Sequence, residues 1–263
     1  MKDLQLLFRL MKNKNFFLKI TGLEFLYLFL SYLVIRIFSG RIYESVLGVK
    51  DLTDQIALIQ PSSGIGTQEA TDISAKITEF NSYFNQVAIN LSLLVLLLVL
   101  VYILVKSVNW NFVYNEKIKD FKKYFGRFTL LSLIFFVLSV PLLFYALVNG
   151  RRFLLPYMFE NAFLKNEFAK IIIFVLLFVL LMHLTFTGYV YLSKNNFVNA
   201  IKEIFKFRKI WMYFLSVGVV FLSFFVIKLG SLVSASFVNV LIQLLIISFI
   251  FASYKAYFVR SYR

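Results

Sequence analysis

Cysteine is absent from the 263-residue chain, so the sequence excludes disulfides, thiolate metal sites and cysteine nucleophiles. A single histidine, His183, excludes a metal centre built from several imidazoles. Charged residues make up only 16% of the chain, whereas ordinary soluble domains have about 25%. Because so few charges cannot cover the surface of a soluble protein of this length, a soluble fold is excluded as well.

Hydrophobic residues make up 60% of the sequence, and they gather in six long stretches. Each stretch approaches the length of about 20 residues that a helix needs to cross a bilayer. The predicted spans are Ile20–Phe38, Val87–Val105, Phe128–Val148, Ile171–Tyr191, Trp211–Gly230 and Ala235–Tyr257. The composition therefore predicts an all-α integral membrane protein with six transmembrane helices.

Basic residues lie mainly on one side of these spans and give the chain a net charge of +15. They occupy the N-terminal arm, the connection that begins at Lys106, the connection between spans four and five, and the tail that includes Lys255. The positive-inside rule makes this side the cytoplasm, so both termini of this cell-membrane protein are predicted to be cytoplasmic. This topology accounts for the charge, and no nucleic-acid partner is expected. The basic segments also favour anionic lipid headgroups at that face.

Short basic amphipathic stretches precede spans one, three and five, beginning near Leu4, Asn115 and Asn196. Apolar residues recur in them at steps of three and four with basic residues opposite, which is typical of an interfacial helix. The pattern predicts three tandem units, 1–106, 107–191 and 192–263, each an interfacial helix followed by two spans.

The third stretch runs directly into its span as IKEIFKFRKIWMYFL, Ile201–Leu215. With such basic and aromatic stretches, the plan resembles a group of poorly characterised prokaryotic polytopic families, including the membrane domain of some glycerophosphodiester phosphodiesterases. The resemblance rests on composition and arrangement and includes no catalytic motif. It implies a membrane-embedded, non-catalytic module and assigns no functional residue.

The first external connection, residues 39–86, contains two apolar series with helical spacing on either side of the turn Pro61–Gly66. The first series is Ile42, Val46, Val49, Leu52, Ile56 and Ile59, and the second is Ile73, Ile77, Phe80, Phe84 and Val87. Facing stripes predict an antiparallel external helical hairpin that continues spans one and two. Its acidic residues are either a solvated face or a docking face for a partner: Glu44, Asp51, Asp54, Asp72 and Glu79.

Two ionisable residues lie well inside predicted spans, where charges are costly and are candidates for function. Glu24 is in span one and His183 in span four, at depths that permit contact if these spans are neighbours. Such a pair predicts either a polar clasp between two helices or a proton-coupled site.

Motifs of the common hydrolases, zinc proteases and nucleotide-binding enzymes are absent from the sequence. No metal or cofactor site is predicted. The leading hypothesis is a non-catalytic membrane subunit or scaffold that binds a protein partner, or a second copy, through the hairpin. The alternative is a transporter, or a permease subunit like that of an ABC exporter, that moves a small solute or lipid.

Overall fold

The computed structural model describes residues 14–57, 67–115, 121–154, 161–194, 197–204, 210–233 and 236–262. Apart from Ser236, every one of these residues lies in a helix, and none lies in a strand. Five described helices are long and apolar enough to cross a membrane. The fold therefore agrees with the predicted all-α membrane protein.

The helices follow one another with short gaps. Their bounds are α1 Lys14–Ala57, α2 Thr67–Val101, α3 Ser107–Asn115, α4 Phe121–Leu154, α5 Asn161–Lys194, α6 Phe197–Ile204, α7 Ile210–Val233 and α8 Phe237–Tyr262. A π-helical turn, Tyr102–Lys106, joins α2 to α3. The five helices that could cross a membrane are α1, α2 with its continuation, α4, α7 and α8, while the apolar part of α5 is shorter, Leu176–Leu192.

Side-chain burial differs from that of a soluble protein. Large apolar side chains such as Ile173, Phe214 and Phe224 are exposed along these helices, whereas Glu24 and Lys255 are buried. A bilayer favours this distribution because lipid tails solvate apolar surface and polar groups must find partners inside the protein.

Residues Leu28–Tyr102 form one compact unit, a helical hairpin of α1 and α2. Its buried α1 residues, Phe38, Ser45 and Leu52, recur every seven positions, as they do in a coiled-coil seam. A Cβ on Gly48 would lie 2.8 Å from Cε1 of Tyr83, so this glycine lets the tyrosine ring lie directly against α1. The predicted antiparallel pairing is thus present, with small residues at its closest approach.

The seam differs in detail from the predicted apolar stripes. Val46, Ile77 and Phe84 are 46%, 48% and 58% exposed, although they were predicted to lie between the helices. Ser45 and Gly48 occupy the seam instead, because small side chains permit the close approach to Tyr83. Ile56, Ile59 and the turn Pro61–Gly66 lie outside the part of the hairpin whose side chains the structure describes.

The segments up to Tyr27 and from Ile103 onward form a second compact unit. Its centre is the short helix α3, which contacts α4, α5 and α8. Trp110 of α3 lies within a cluster of aromatic rings, with centroids 5.0 Å from Phe186, 5.6 Å from Tyr189 and 6.4 Å from Phe258. This aromatic core surrounds the site described below.

Helix α6 is the described part of the third amphipathic stretch. Its Ala200 and Ile204 are buried and its Lys202 is exposed, and it packs on α5, where Gly188 leaves room for Ile204. The stretch from Leu4 to residue 13, and residues 116–120 and 205–209 of the other two, lie outside the described residues. The three interfacial helices and the three tandem units stay predictions.

Candidate intramembrane charge cluster

Glu24 of α1 is the centre of a buried cluster of charged side chains. Lys106 donates a hydrogen bond to Oε2 of its carboxylate, and Lys255 of α8 forms an ion pair with Oε1. The amide of Asn109 donates a second hydrogen bond to Oε1, at 2.9 Å. The carboxylate therefore joins α1, the π turn, α3 and α8 at one point.

Burial of this cluster is nearly complete. Glu24 is 1% exposed, Lys106 7% and Lys255 0%. An isolated buried charge costs several kcal/mol, on the order of the largest single-residue effects, unless it is paired and hydrogen-bonded. Lys106 and Lys255, which are predicted to belong to the basic cytoplasmic side, are thus buried beside the Glu24 carboxylate.

Aromatic faces supply the remaining contacts of the two lysines. The Lys106 ammonium lies 4.0 Å from the ring centroid of Tyr27, and that of Lys255 lies 4.7 Å from the ring of Trp110. Cation–π contacts of this kind contribute about 2 kcal/mol when they are desolvated. The two ammonium groups thus share one carboxylate, and each of them also contacts one aromatic face.

Lys106 is the last residue of the π-helical turn Tyr102–Lys106. A π turn holds an extra residue, which rotates everything after it by about 100° around the helix axis relative to an unbroken α-helix. From Lys106 into α3 the chain is enclosed on more than one side, since Lys106, Ser107, Asn109, Trp110 and Asn111 are all buried. Short π segments of this kind are frequent at functional sites.

The cluster carries one more positive than negative formal charge, because two lysines meet one glutamate. This arrangement can hold helices together, since removal of the carboxylate would leave two ammonium groups in an apolar environment. It can also exchange a proton, because loss of one lysine proton leaves a neutral cluster. The side-chain amide oxygen of Asn109 and the indole nitrogen of Trp110 are buried and make no hydrogen bond within the described part of the chain.

His183 has different neighbours. Its Nδ1 lies 3.5 Å from Oγ of Ser216 in α7, and this hydroxyl is 2.5 Å from the Tyr254 hydroxyl of α8. Its ring edge also contacts Phe258, with centroids 5.6 Å apart. The structure therefore does not bring Glu24 and His183 together as a pair, because each is already bonded within its own group.

The two groups are nevertheless adjacent along α8. Tyr254 reaches the Ser216 hydroxyl and the next residue, Lys255, reaches Glu24. The Phe258 ring contacts both His183 and Trp110. Consecutive residues of one helix thus serve two polar networks.

The partners of Glu24 could have been recognised only in part from the sequence. Lys255 lies within FASYKAYFV, so apolar residues continue after it, unlike a lysine that ends a span. Lys106 directly follows an apolar run and therefore has the pattern of a lysine that extends to the headgroups. The sequence around Lys255 thus indicated a buried lysine, whereas the sequence around Lys106 indicated an exposed one.

The acidic residues of the predicted docking face all lie on the hairpin unit. The structure places each of these side chains in an exposed position: Glu44, Asp51, Asp54, Asp72 and Glu79. They are distributed along both helices, and no ion pair between them and the described basic residues is present. Their exposure fits a solvated face and a docking face equally, so the docking role stays a prediction.

Proteins of known family offer no further guide to the site. The resemblance to the membrane domain of some glycerophosphodiester phosphodiesterases rests on the sequence pattern alone. What the chain does must be inferred from the buried cluster and from the hairpin. No family model, curated protein or solved structure matches this chain.

Proposed function

We propose that the chain is a non-catalytic, six-span subunit or scaffold of the cell membrane that binds a protein partner, or a second copy, through its hairpin. Helix α5 supplies the fourth span, and the basic connections place both termini in the cytoplasm. A membrane module like that of some glycerophosphodiester phosphodiesterases is compatible with this role.

The length of the hairpin helices is the observation that carries the proposal. Helix α1 has 44 residues and α2 has 35, so they are about 66 and 52 Å long at 1.5 Å per residue. The hydrocarbon core of a bilayer is only about 30 Å thick. Each helix therefore has some 20 Å or more with which to extend into water.

The exposed surface of the hairpin suits a protein partner. It combines the acidic side chains with exposed apolar ones, Tyr43, Val46, Ile77 and Phe84. Interfaces commonly pair an apolar centre that includes aromatic residues with a charged rim. Because the acidic residues outnumber the basic ones here, we expect the partner to present a basic rim.

The test removes negative charge from the far part of the hairpin. The variant Asp51→Asn, Asp54→Asn, Asp72→Asn is expected to lose its partner, since all three carboxylates are exposed. Native mass spectrometry of protein extracted gently from its own membrane measures the loss. The proposal is supported if the wild type carries a stoichiometric partner and the triple variant does not.

A matched control neutralises three exposed lysines away from the hairpin, Lys122→Gln, Lys123→Gln and Lys202→Gln. This variant should keep the partner. A wild-type protein that is a bare monomer, or a partner that stays on the acidic-site variant, would contradict the docking role.

The buried cluster favours a second candidate, a transporter or permease subunit. Ionisable residues inside a span are candidates for proton transfer, and two lysines here share the single carboxylate of Glu24. Its closed environment, in which the carboxylate is bonded on both oxygens, favours a structural clasp instead. Recovery of a stoichiometric ATPase in the same spectra would favour the permease.

A further inference from the structure

A polar cleft of about 540 Å³ opens between the two hairpin helices. Every residue that lines it carries a polar group: Arg41, Glu44, Ser45, Tyr83, Gln86 and Asn90. The cleft is open to its surroundings, since Arg41, Glu44 and Gln86 are exposed. The cleft belongs entirely to the hairpin unit.

Arg41 and Glu44 bring opposite charges to the cleft. Within the described part of the chain, neither the guanidinium nor the carboxylate makes a hydrogen bond or an ion pair. The guanidinium lies 5.8 Å from the ring centroid of Phe38. Two uncommitted charges of opposite sign, about one helical turn apart, suit a ligand that carries both signs.

The back of the cleft is fixed by packing. Ser45 is buried, donates a hydrogen bond to the Arg41 carbonyl at 2.9 Å and lies 3.5 Å from Oε1 of Gln86 across the hairpin. The Tyr83 ring lies against the backbone at Gly48, where no side chain would fit without displacing it. Packing between the two helices therefore holds Ser45 and Tyr83 in place at the back of the cleft.

The cleft lies at the border between the apolar and polar parts of the hairpin. The apolar run of α1 ends at Phe38, three residues before Arg41, and that of α2 begins at Val87, next to Gln86. Phospholipid headgroups occupy this level of a bilayer, just beyond the hydrocarbon core. A lipid could therefore present its headgroup to the cleft while its chains stay among the apolar residues.

We propose that this cleft binds the headgroup of a zwitterionic phospholipid with a primary amine, such as phosphatidylethanolamine. Arg41 binds the phosphodiester, because the planar guanidinium matches two phosphate oxygens, and Glu44 accepts hydrogen bonds from the ammonium group. The amides of Gln86 and Asn90 offer further donors. An anionic headgroup without an amine would leave Glu44 facing negative charge, so the site discriminates against it.

Native mass spectrometry in detergent containing equal amounts of phosphatidylethanolamine and phosphatidylglycerol tests this proposal. The wild type is expected to retain one phosphatidylethanolamine. Arg41→Gln and Glu44→Gln should each weaken its retention about tenfold or more, the effect of losing one hydrogen bond to a charged group. Both residues are exposed, so circular dichroism should show unchanged helix content.

The control variants Lys50→Gln and Asp51→Asn change the same charges on exposed residues of α1 outside the cleft, and they should retain the lipid. Equal retention by Arg41→Gln and the wild type would overturn the proposal, and so would preference for phosphatidylglycerol. Soluble phosphoethanolamine that binds with the same dependence on Arg41 and Glu44, without retention of the lipid, would overturn the lipid assignment in favour of a free ligand.

Discussion

At the scale of single residues, Glu24 is the carboxylate that makes the burial of two lysines possible. It accepts hydrogen bonds from Lys106 and Asn109 and forms an ion pair with Lys255, and these three residues belong to three separate elements. Paired lysines in an apolar environment are stable only while their counter-charge is present. The same reasoning explains why three charged side chains are tolerated where the surrounding residues are aromatic or apolar.

We expect Glu24→Gln to destabilise the protein by about 3–5 kcal/mol, the usual cost of breaking a buried ion pair from one side. The amide keeps the size of the side chain but leaves two ammonium groups without a carboxylate. Thermal unfolding in detergent, followed by circular dichroism, measures the effect.

Two controls distinguish this effect from a general response to charge loss. Glu79→Gln removes an exposed carboxylate and should change stability by less than about 0.5 kcal/mol. The triple variant Glu24→Met, Lys106→Met, Lys255→Met removes the whole cluster and should recover most of the loss, since apolar replacements of buried ion pairs are often neutral. Equal stability of Glu24→Gln and Glu79→Gln would show that the cluster is not a clasp.

At the scale of elements, some glycines lie where a neighbouring helix approaches closely and others do not. A Cβ on Gly188 of α5 would lie 2.6 Å from Cδ2 of Leu131 and 2.9 Å from Cδ1 of Ile204. Both of these side chains are buried and have little room to move. Gly218 of α7, by contrast, faces open space.

We therefore expect opposite outcomes from the same substitution at these two glycines. Gly188→Ala should destabilise by about 1–3 kcal/mol through overpacking. Gly218→Ala should be neutral or stabilise by up to about 1 kcal/mol, because alanine favours helix and meets nothing. The melting temperatures of the two purified variants, each compared with the wild type, measure these effects. A lower melting temperature for Gly218→Ala together with an unchanged one for Gly188→Ala would contradict the packing of α4, α5 and α6.

At the scale of the whole molecule, the predicted topology places the hairpin outside and α6 inside the cell. Because the chain has no cysteine, a single introduced thiol reports its own side of the membrane. Asp54 of α1 and Lys202 of α6 are both exposed and suit this purpose.

We expect Asp54→Cys to react with a membrane-impermeant maleimide on intact cells, and Lys202→Cys to react only after the membrane is opened. The reason is the excess of Lys and Arg in the connections on the α6 side. Mass-tagged reagent and gel mobility give the readout. The reverse pattern would invert the orientation, and labelling of both residues from outside would exclude the predicted odd number of spans between them.

Much of the architecture could be predicted from residue types and their periodicity. Apolar runs of span length determine helices in a bilayer, because an unpaired backbone group in hydrocarbon is too costly. The spacing of residues 42–59 and 73–87 likewise predicted two paired helices. It could not select the seam, since Val46 and Ser45 are neighbours and only close packing of Gly48 on Tyr83 decides which of them lies inside.

The candidate site was predicted only at its centre. The sequence alone identified Glu24 and His183 as costly residues within apolar spans, because a span can be read locally. Their partners are 82 or more residues from Glu24 and 33 from His183 along the chain. Only the tertiary structure decided that Lys106 and Lys255 turn inward to Glu24. A long cationic side chain at the end of a span can reach either the headgroups or a buried carboxylate. The packing of α1, α3 and α8 decides between the two, because it places the Glu24 carboxylate within reach of both lysines.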